Sequence, residues 1–303
     1  MTGVLAALVP VVLLIAIAAL LHRTGFLPEA AWRGMERSTY YVFFPAFLFQ
    51  SLAQANFRGF HIWPLAAALL SAVAVMATIL ALMRRVIRLD GQTYSTAYLG
   101  AIRWNSFVAI VLLKQLYGAT GITLAAVAFA AIIPVVNTLS VYVLSRHAGT
   151  DGRLSIALKA MARNPLILAC LAGALWQLGG LPVPSVVGTT LTLLGRTALV
   201  LGLFTVGAAL NFKHLRTNPS LLLLVGTLKL LVMPVLMATF CTLYNVQGPA
   251  RTVAVVAGAV PTATNAYILT RQLGGDSALM ANLISVMTVA ALVTLPLAIW
   301  LLG

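Results

Sequence analysis

Long apolar runs alternate with short polar punctuation along all 303 residues. Ten of these runs are candidates to cross a membrane, near 2–21, 37–56, 63–83, 93–117, 120–145, 163–180, 186–210, 219–244, 250–272 and 277–302. A spanning helix takes about 20 apolar residues, so the pattern predicts an all-α membrane protein with ten transmembrane helices. The longest gaps, 22–36 and 146–162, are too short to hold a domain outside the membrane. The first run has no Lys or Arg before it and Arg23 just after it. A cleaved secretory signal has the reverse arrangement, so this run is expected to remain as the first span.

Composition narrows the function classes. The chain is 61% hydrophobic and 8% charged, where a soluble domain carries roughly 25% charged residues. That excludes a soluble enzyme, a disordered chain and a fibrous repeat. The net charge of +14 does not signal nucleic acid, because the Lys and Arg residues sit mostly in the gaps and form no basic stripe. Cys170 and Cys241 lie singly inside apolar runs and make neither a disulfide framework nor a zinc site by spacing. No cofactor is implied. Thirteen basic residues fall in the odd-numbered loops and three in the even-numbered ones. The positive-inside rule then places both termini outside and the 146–162 loop in the cytoplasm, in a cytoplasmic (inner) membrane.

A shift of 155 residues lays the second half over the first. LFQSLAQANFR at 48–58 falls on LFTVGAALNFK at 203–213, Pro10 on Pro165 and Pro64 on Pro219. At a shift of 157, KQLYG at 114–118 falls on RQLGG at 271–275. The expected organisation is a first five-helix repeat at 1–145, a cytoplasmic linker at 146–162 and a second repeat at 163–303. Five is odd, so the copies cross in opposite senses. Inverted repeats of this kind are a secondary-transporter architecture with the binding site between the copies.

Two spans at equivalent places are expected to break. The ninth has Pro261 near its middle, which removes one N–H and frees the carbonyl four residues back, that of Ala257. Thr262, Thr264 and Asn265 follow directly. The fourth has Arg103 and Asn105 near its middle but no proline. Proline kinks and interhelical Asn or Thr contacts, worth ~0.6–2 kcal/mol, also occur in helices that bind nothing. Matching interruptions in both repeats favour a site.

Arg103, Arg196 and Lys229 lie near mid-span, where a charge costs about 2.5–3.5 kcal/mol. The five acids, Glu29, Glu36, Asp90, Asp151 and Asp276, all fall at or beyond span ends. The cations are left with freed carbonyls, a neutral lysine or a visiting anion as compensation. A guanidinium offers a planar fork suited to carboxylate. No nucleophile–base pairing lies at depth, so catalysis is not expected.

Several segments carry a resemblance. YYVFFPAFLFQSLA at 40–53, with Pro45, NPLILACLAGALW at 164–176, LGLFTVGAAL at 201–210 and PTATNAYILTRQLGGD at 261–276 are together similar to motifs of the auxin efflux carrier family. That family includes plant auxin exporters and bacterial permeases for malonate, malate and similar acids. The resemblance implies a ten-helix inverted-repeat fold of the sodium/proton-antiporter and bile-acid-symporter type, with helices 4 and 9 crossing at their breaks. It also implies a scaffold of helices 1, 2, 6 and 7, an elevator-like moving domain of helices 3–5 and 8–10, and site residues at Asn105, Pro261 and Asn265. The family's Asn-Gly-Pro pattern in helix 4 is replaced here by Asn105, Ser106 and Phe107, which argues against auxin as the substrate, and Arg103 suggests a small carboxylate instead.

The resulting expectation is a secondary transporter of a small mono- or dicarboxylate. Arg103, Asn105, Pro261, Thr262, Thr264 and Asn265 would bind it, with Pro45, Arg196 and Lys229 as candidate supports. Expected partners are that organic anion and the lipid bilayer, with a homodimer as a candidate assembly and no nucleic acid. A sodium-coupled symporter of larger amphipathic anions and a non-transporting membrane sensor remain as alternatives.

Overall fold

The computed structural model describes residues 2–55, 62–147, 164–211 and 218–303, and these contain helices and no strand. Helix α1 is Thr2–Arg23. Helix α2 (Glu29–Ser38) runs through a π-helical turn (Thr39–Phe43) into α3 (Phe44–Ala53). Helix α4 is Ile62–Val86, and α5 (Gly91–Ile102) is followed by α6 (Ser106–His147). Then come α7 (Pro165–Leu178) and α8 (Ser185–Ala208). Helix α9 (Pro219–Thr227) continues through a second π turn (Leu228–Val232) into α10 (Met233–Leu243). Helices α11 (Gly248–Ala259), α12 (Ala266–Gln272) and α13 (Ser277–Leu302) complete the chain.

Among the described residues six helical segments are long and apolar enough to cross a membrane, one of them the 57-residue stretch Gly91–His147. Their outward faces suit lipid: Leu175, Leu223 and Leu301 are largely exposed. Exposed Thr189, Thr190, Thr197 and Thr239 each donate their hydroxyl to the carbonyl four residues back. A hydroxyl facing hydrocarbon needs such an internal acceptor.

The boundaries differ from the pattern in two places. The helix expected to start near 37 is preceded by α2, which begins at Glu29 and whose Trp32 is buried while Arg33 and Arg37 are exposed. The predicted turn between spans four and five is a sharp kink within α6 at Gly118 (φ 57°, ψ −131°), a backbone state that side chains oppose. The described acids lie at helix ends or on α2. Asp90 and Asp276 cap α5 and α13 by accepting from Thr93 N and Leu279 N. The Thr93 backbone N–H also holds the Asp90 carboxyl below its ordinary range. Glu29, paired with His22 at 3.1 Å, and Glu36 lie on α2. Asp151, most of the 146–162 linker, Asn56-Phe57-Arg58 and Phe212-Lys213 fall outside the described residues.

Both π turns precede a proline by the same spacing. Phe44 N donates to Thr39 O just before Pro45, and Met233 N donates to Leu228 O just before Pro234. A proline ring collides with the carbonyl four residues back and offers no N–H. One wider turn absorbs the misfit.

The helices associate in two groups, α1, α2, α3, α7 and α8 on one side and α4, α5, α6 and α9–α13 on the other. Small residues allow the closest approaches. A Cβ added at Gly207 would lie 2.3 Å from the Ile15 carbonyl oxygen, and one at Gly258 would lie 2.8 Å from Pro234 Cα. Both are backbone contacts, which cannot swing aside. Gly258→Val should therefore destabilise the α10–α11 pair by about 1–3 kcal/mol. Thermal unfolding of detergent-solubilised protein reads this, and an unshifted midpoint would show that the helices part freely.

Candidate functional site

Helix stops at Ile102 and restarts at Ser106; it stops again at Ala259 and restarts at Ala266. The helices entering the two breaks, α5 and α11, are both 12 residues long. Each ends on an extended residue, Arg103 (φ −77°, ψ 154°) and Val260 (φ −68°, ψ 150°). The breaks touch: Asn105 N donates to the Pro261 carbonyl at 2.8 Å. No proline interrupts the first one. Its restart is set by Asn105, whose Oδ1 accepts from Phe107 N and Val108 N and so caps α6.

Arg103 sits in this crossing with 7% of its surface exposed. Its Nη1 donates to Asn137 Oδ1 and its Nη2 to Asn265 Oδ1, both at 3.0 Å. Its Nε has no partner. The two amide oxygens accept hydrogen bonds but carry no net charge. Among the described residues the one ion pair is His22–Glu29, remote from the crossing on α1 and α2. The guanidinium is thus oriented by the described residues without being neutralised by them.

A cavity of about 40 Å³ opens beside it, lined in part by Tyr40, Trp104, Asn137, Asn164 and Asn265. By that measure a water needs roughly 10–15 Å³, so a few waters or one small polar group fill it. Two further buried polar atoms at the crossing lack partners, Asn105 Nδ2 and Thr262 Oγ1. Thr264 is buried in the second break, and Asn265 leads into α12.

The supporting residues expected from the sequence are not gathered here. Arg196 is exposed and lines a separate groove of about 400 Å³ with Gln50, Gln54 and Thr192. Pro45 lies in the first turn of α3. Lys229 is fully buried and donates to the Ala257 carbonyl at 3.3 Å. That is the carbonyl Pro261 leaves without a helical donor.

Asn137, Asn164 and Tyr40 also line the cavity and were not among the site residues expected from the sequence. Asn137 carried a signal, a lone amide deep in an apolar run. Asn164 belongs to the Asn-Pro opening of α7, where its Oδ1 caps Leu166 N at 2.9 Å. Tyr40 is the second residue of the first π turn, a wide turn that apolar periodicity does not announce. Asn137→Leu should cost about 1.5–3 kcal/mol, the worth of a hydrogen bond to a charged group. The loss appears as a lower unfolding midpoint; full stability in that variant would show that Asn137 does not hold the guanidinium.

Over residues 3–299 the chain matches the family described as "Membrane transport protein". An "Uncharacterized transporter" of Methanothermobacter thermautotrophicus is 27% identical over 289 residues, covering 95% of this chain and 94% of that relative. With the family match spanning nearly the whole chain and long apolar helices throughout, the protein belongs to the membrane transport protein family, that of the auxin efflux carriers, and is a multi-pass membrane protein.

Proposed function

We propose that this protein is a secondary transporter that carries a small organic anion, a mono- or dicarboxylate, across the cytoplasmic membrane. The observation that carries the reading is the chemistry of the crossing. A buried guanidinium with an unpartnered Nε stands there, and in the same two breaks two more groups able to donate, Asn105 Nδ2 and Thr262 Oγ1, lack partners. Ionised carboxylate oxygens only accept, so a carboxylate supplies both the missing acceptors and the missing charge. Asn265 and Asn137 hold the guanidinium in place for it. Pro261 and Thr264 shape the second break.

The ten-span inverted repeat belongs to this proposal. At 1.5 Å per residue, a 57-residue segment is far longer than a hydrocarbon core of about 30 Å. Gly91–His147, with its break and its kink, is therefore read as two crossings. The equal lengths of α5 and α11, and the two π-turn/proline pairs, support two related halves. The two helix groups fit an elevator, with α4–α6 and α9–α13 moving past α1–α3, α7 and α8. Sodium-coupled transport has weaker support at the crossing itself. A sodium ion would have to share side-chain oxygens that already accept, since Asn105 Oδ1 caps α6 and the Asn137 and Asn265 oxygens accept from Arg103.

The test is uptake of radiolabelled lactate, malonate and malate into proteoliposomes. Arg103→Gln should reduce protein-dependent uptake to that of empty vesicles while the protein still folds. Asn137→Asp, which builds in a permanent counter-charge, should remove the thermal stabilisation that the best carboxylate confers by mass action. Undiminished transport by Arg103→Gln would remove the guanidinium from the site.

A further inference from the structure

Lys229 is the buried cation that the Arg103 cavity does not use. It is the second residue of the π turn Leu228–Val232, and no part of it reaches the surface. The turn aims its amine at the Ala257 carbonyl, the backbone group Pro261 deprives of its ordinary N–H. The elements packed against this turn are α5, α9, α10, α11 and α13. The titratable groups they carry are Tyr94 and Tyr98 on α5, Cys241 on α10 and Arg251 on α11. None is a carboxyl group. Arg251 is itself engaged, donating to the Leu302 carbonyl and the Thr242 hydroxyl.

The two buried cations differ in what they can exchange. A guanidinium keeps its proton under all physiological conditions, whereas an amine can hand one on and still donate an N–H. The amine's acceptor is tied to the crossing through few bonds. Ala257 lies on α11 one turn before Pro261, whose own carbonyl accepts from Asn105 N. A rearrangement of the second break therefore alters both the Arg103 cavity and the seat of the Lys229 amine. Two sites that share one rearranging element are thermodynamically linked in both directions.

From this geometry we infer that Lys229 is the proton-coupling group of the carrier. Its amine takes a proton from one side of the membrane and releases it to the other in the cycle that moves the anion. On release the N–H bond breaks, the electron pair stays on Nζ and the proton passes to water; nothing is oxidised or reduced. The inference rests on the reading of the chain as an organic-anion carrier. It adds to that reading the ion that drives accumulation.

Proteoliposomes with an imposed pH gradient, acid outside, test it with radiolabelled lactate, malonate and malate. Flux is counted above protein-free vesicles, which removes passive entry of protonated acid. With one proton per anion, a gradient of one unit drives accumulation toward tenfold, and a protonophore that dissipates the gradient abolishes it. Lys229→Gln and Lys229→Arg should keep counterflow exchange and lose gradient-driven accumulation, their internal and external concentrations levelling. The arginine variant separates coupling from packing, since it keeps the cation and the donor but not the exchangeable proton. Accumulation restored by Lys229→Arg would overturn the assignment. So would a wild-type protein whose accumulation ignores the pH gradient, an outcome that needs no variant to fold. Absence of counterflow for all three acids in the wild type would instead overturn the carrier reading beneath it.

Discussion

A backbone polar group in the hydrocarbon interior has no water to turn to, so every interrupted helix must find its partners inside the protein. The site is organised by that requirement. Two helices stop at the crossing, and the groups they set free are taken up locally. Asn105 N finds the Pro261 carbonyl, the first N–H groups of α6 find Asn105 Oδ1, and the Ala257 carbonyl finds Lys229. Each of these partners belongs to, or reaches directly into, one of the two breaks. The breaks therefore stabilise each other, and neither persists in this form without its neighbour.

The same requirement explains the placement of the prolines. Pro45 and Pro234 are each absorbed by a π turn that begins six residues earlier, and the second residue of each turn is polar, Tyr40 in one and Lys229 in the other. A π turn inserts an extra residue and rotates what precedes it. Tyr40 is thereby brought to the cavity wall and Lys229 to the second break. Proline thus acts at a distance here: it removes hydrogen bonds from the helix, and the repair delivers polar side chains to the crossing.

This separates what could be read along the chain from what could not. Depth is legible in one dimension. The apolar runs marked an all-helical membrane chain, Pro261 identified Ala257 as a freed carbonyl, and Arg103 with Asn105 located a break that lacks proline. Direction around a helix axis is not legible in the same way when almost every residue is apolar. Arg103, Arg196 and Lys229 share a depth in the sequence pattern, yet they point to a cavity, an outer groove and a neighbouring backbone. Asn137, deep in α6, and Asn164, at the start of α7, both lie far along the chain from Arg103, so only packing brings them to its cavity. The kink at Gly118 replaced an expected loop because one residue in a left-handed conformation suffices to redirect the chain.

The balance of donors and acceptors at the crossing gives it a sign. An amide, a hydroxyl and a guanidinium Nε lack partners there, while the nearby side-chain oxygens of Asn105, Asn137 and Asn265 are already accepting. A metal cation would meet the Arg103 charge and side-chain oxygens that already accept once. An anion is attracted by that charge and meets donors that lack partners. Neutral amides were placed around Arg103 where a single carboxylate would have satisfied it permanently, and an internal salt bridge of that kind would have left nothing for a ligand to supply. A structural arginine is best served by its own acid. On the anion-carrier reading proposed above, an arginine that accepts and releases its guest is better served by dipoles, which orient the guanidinium without cancelling its charge.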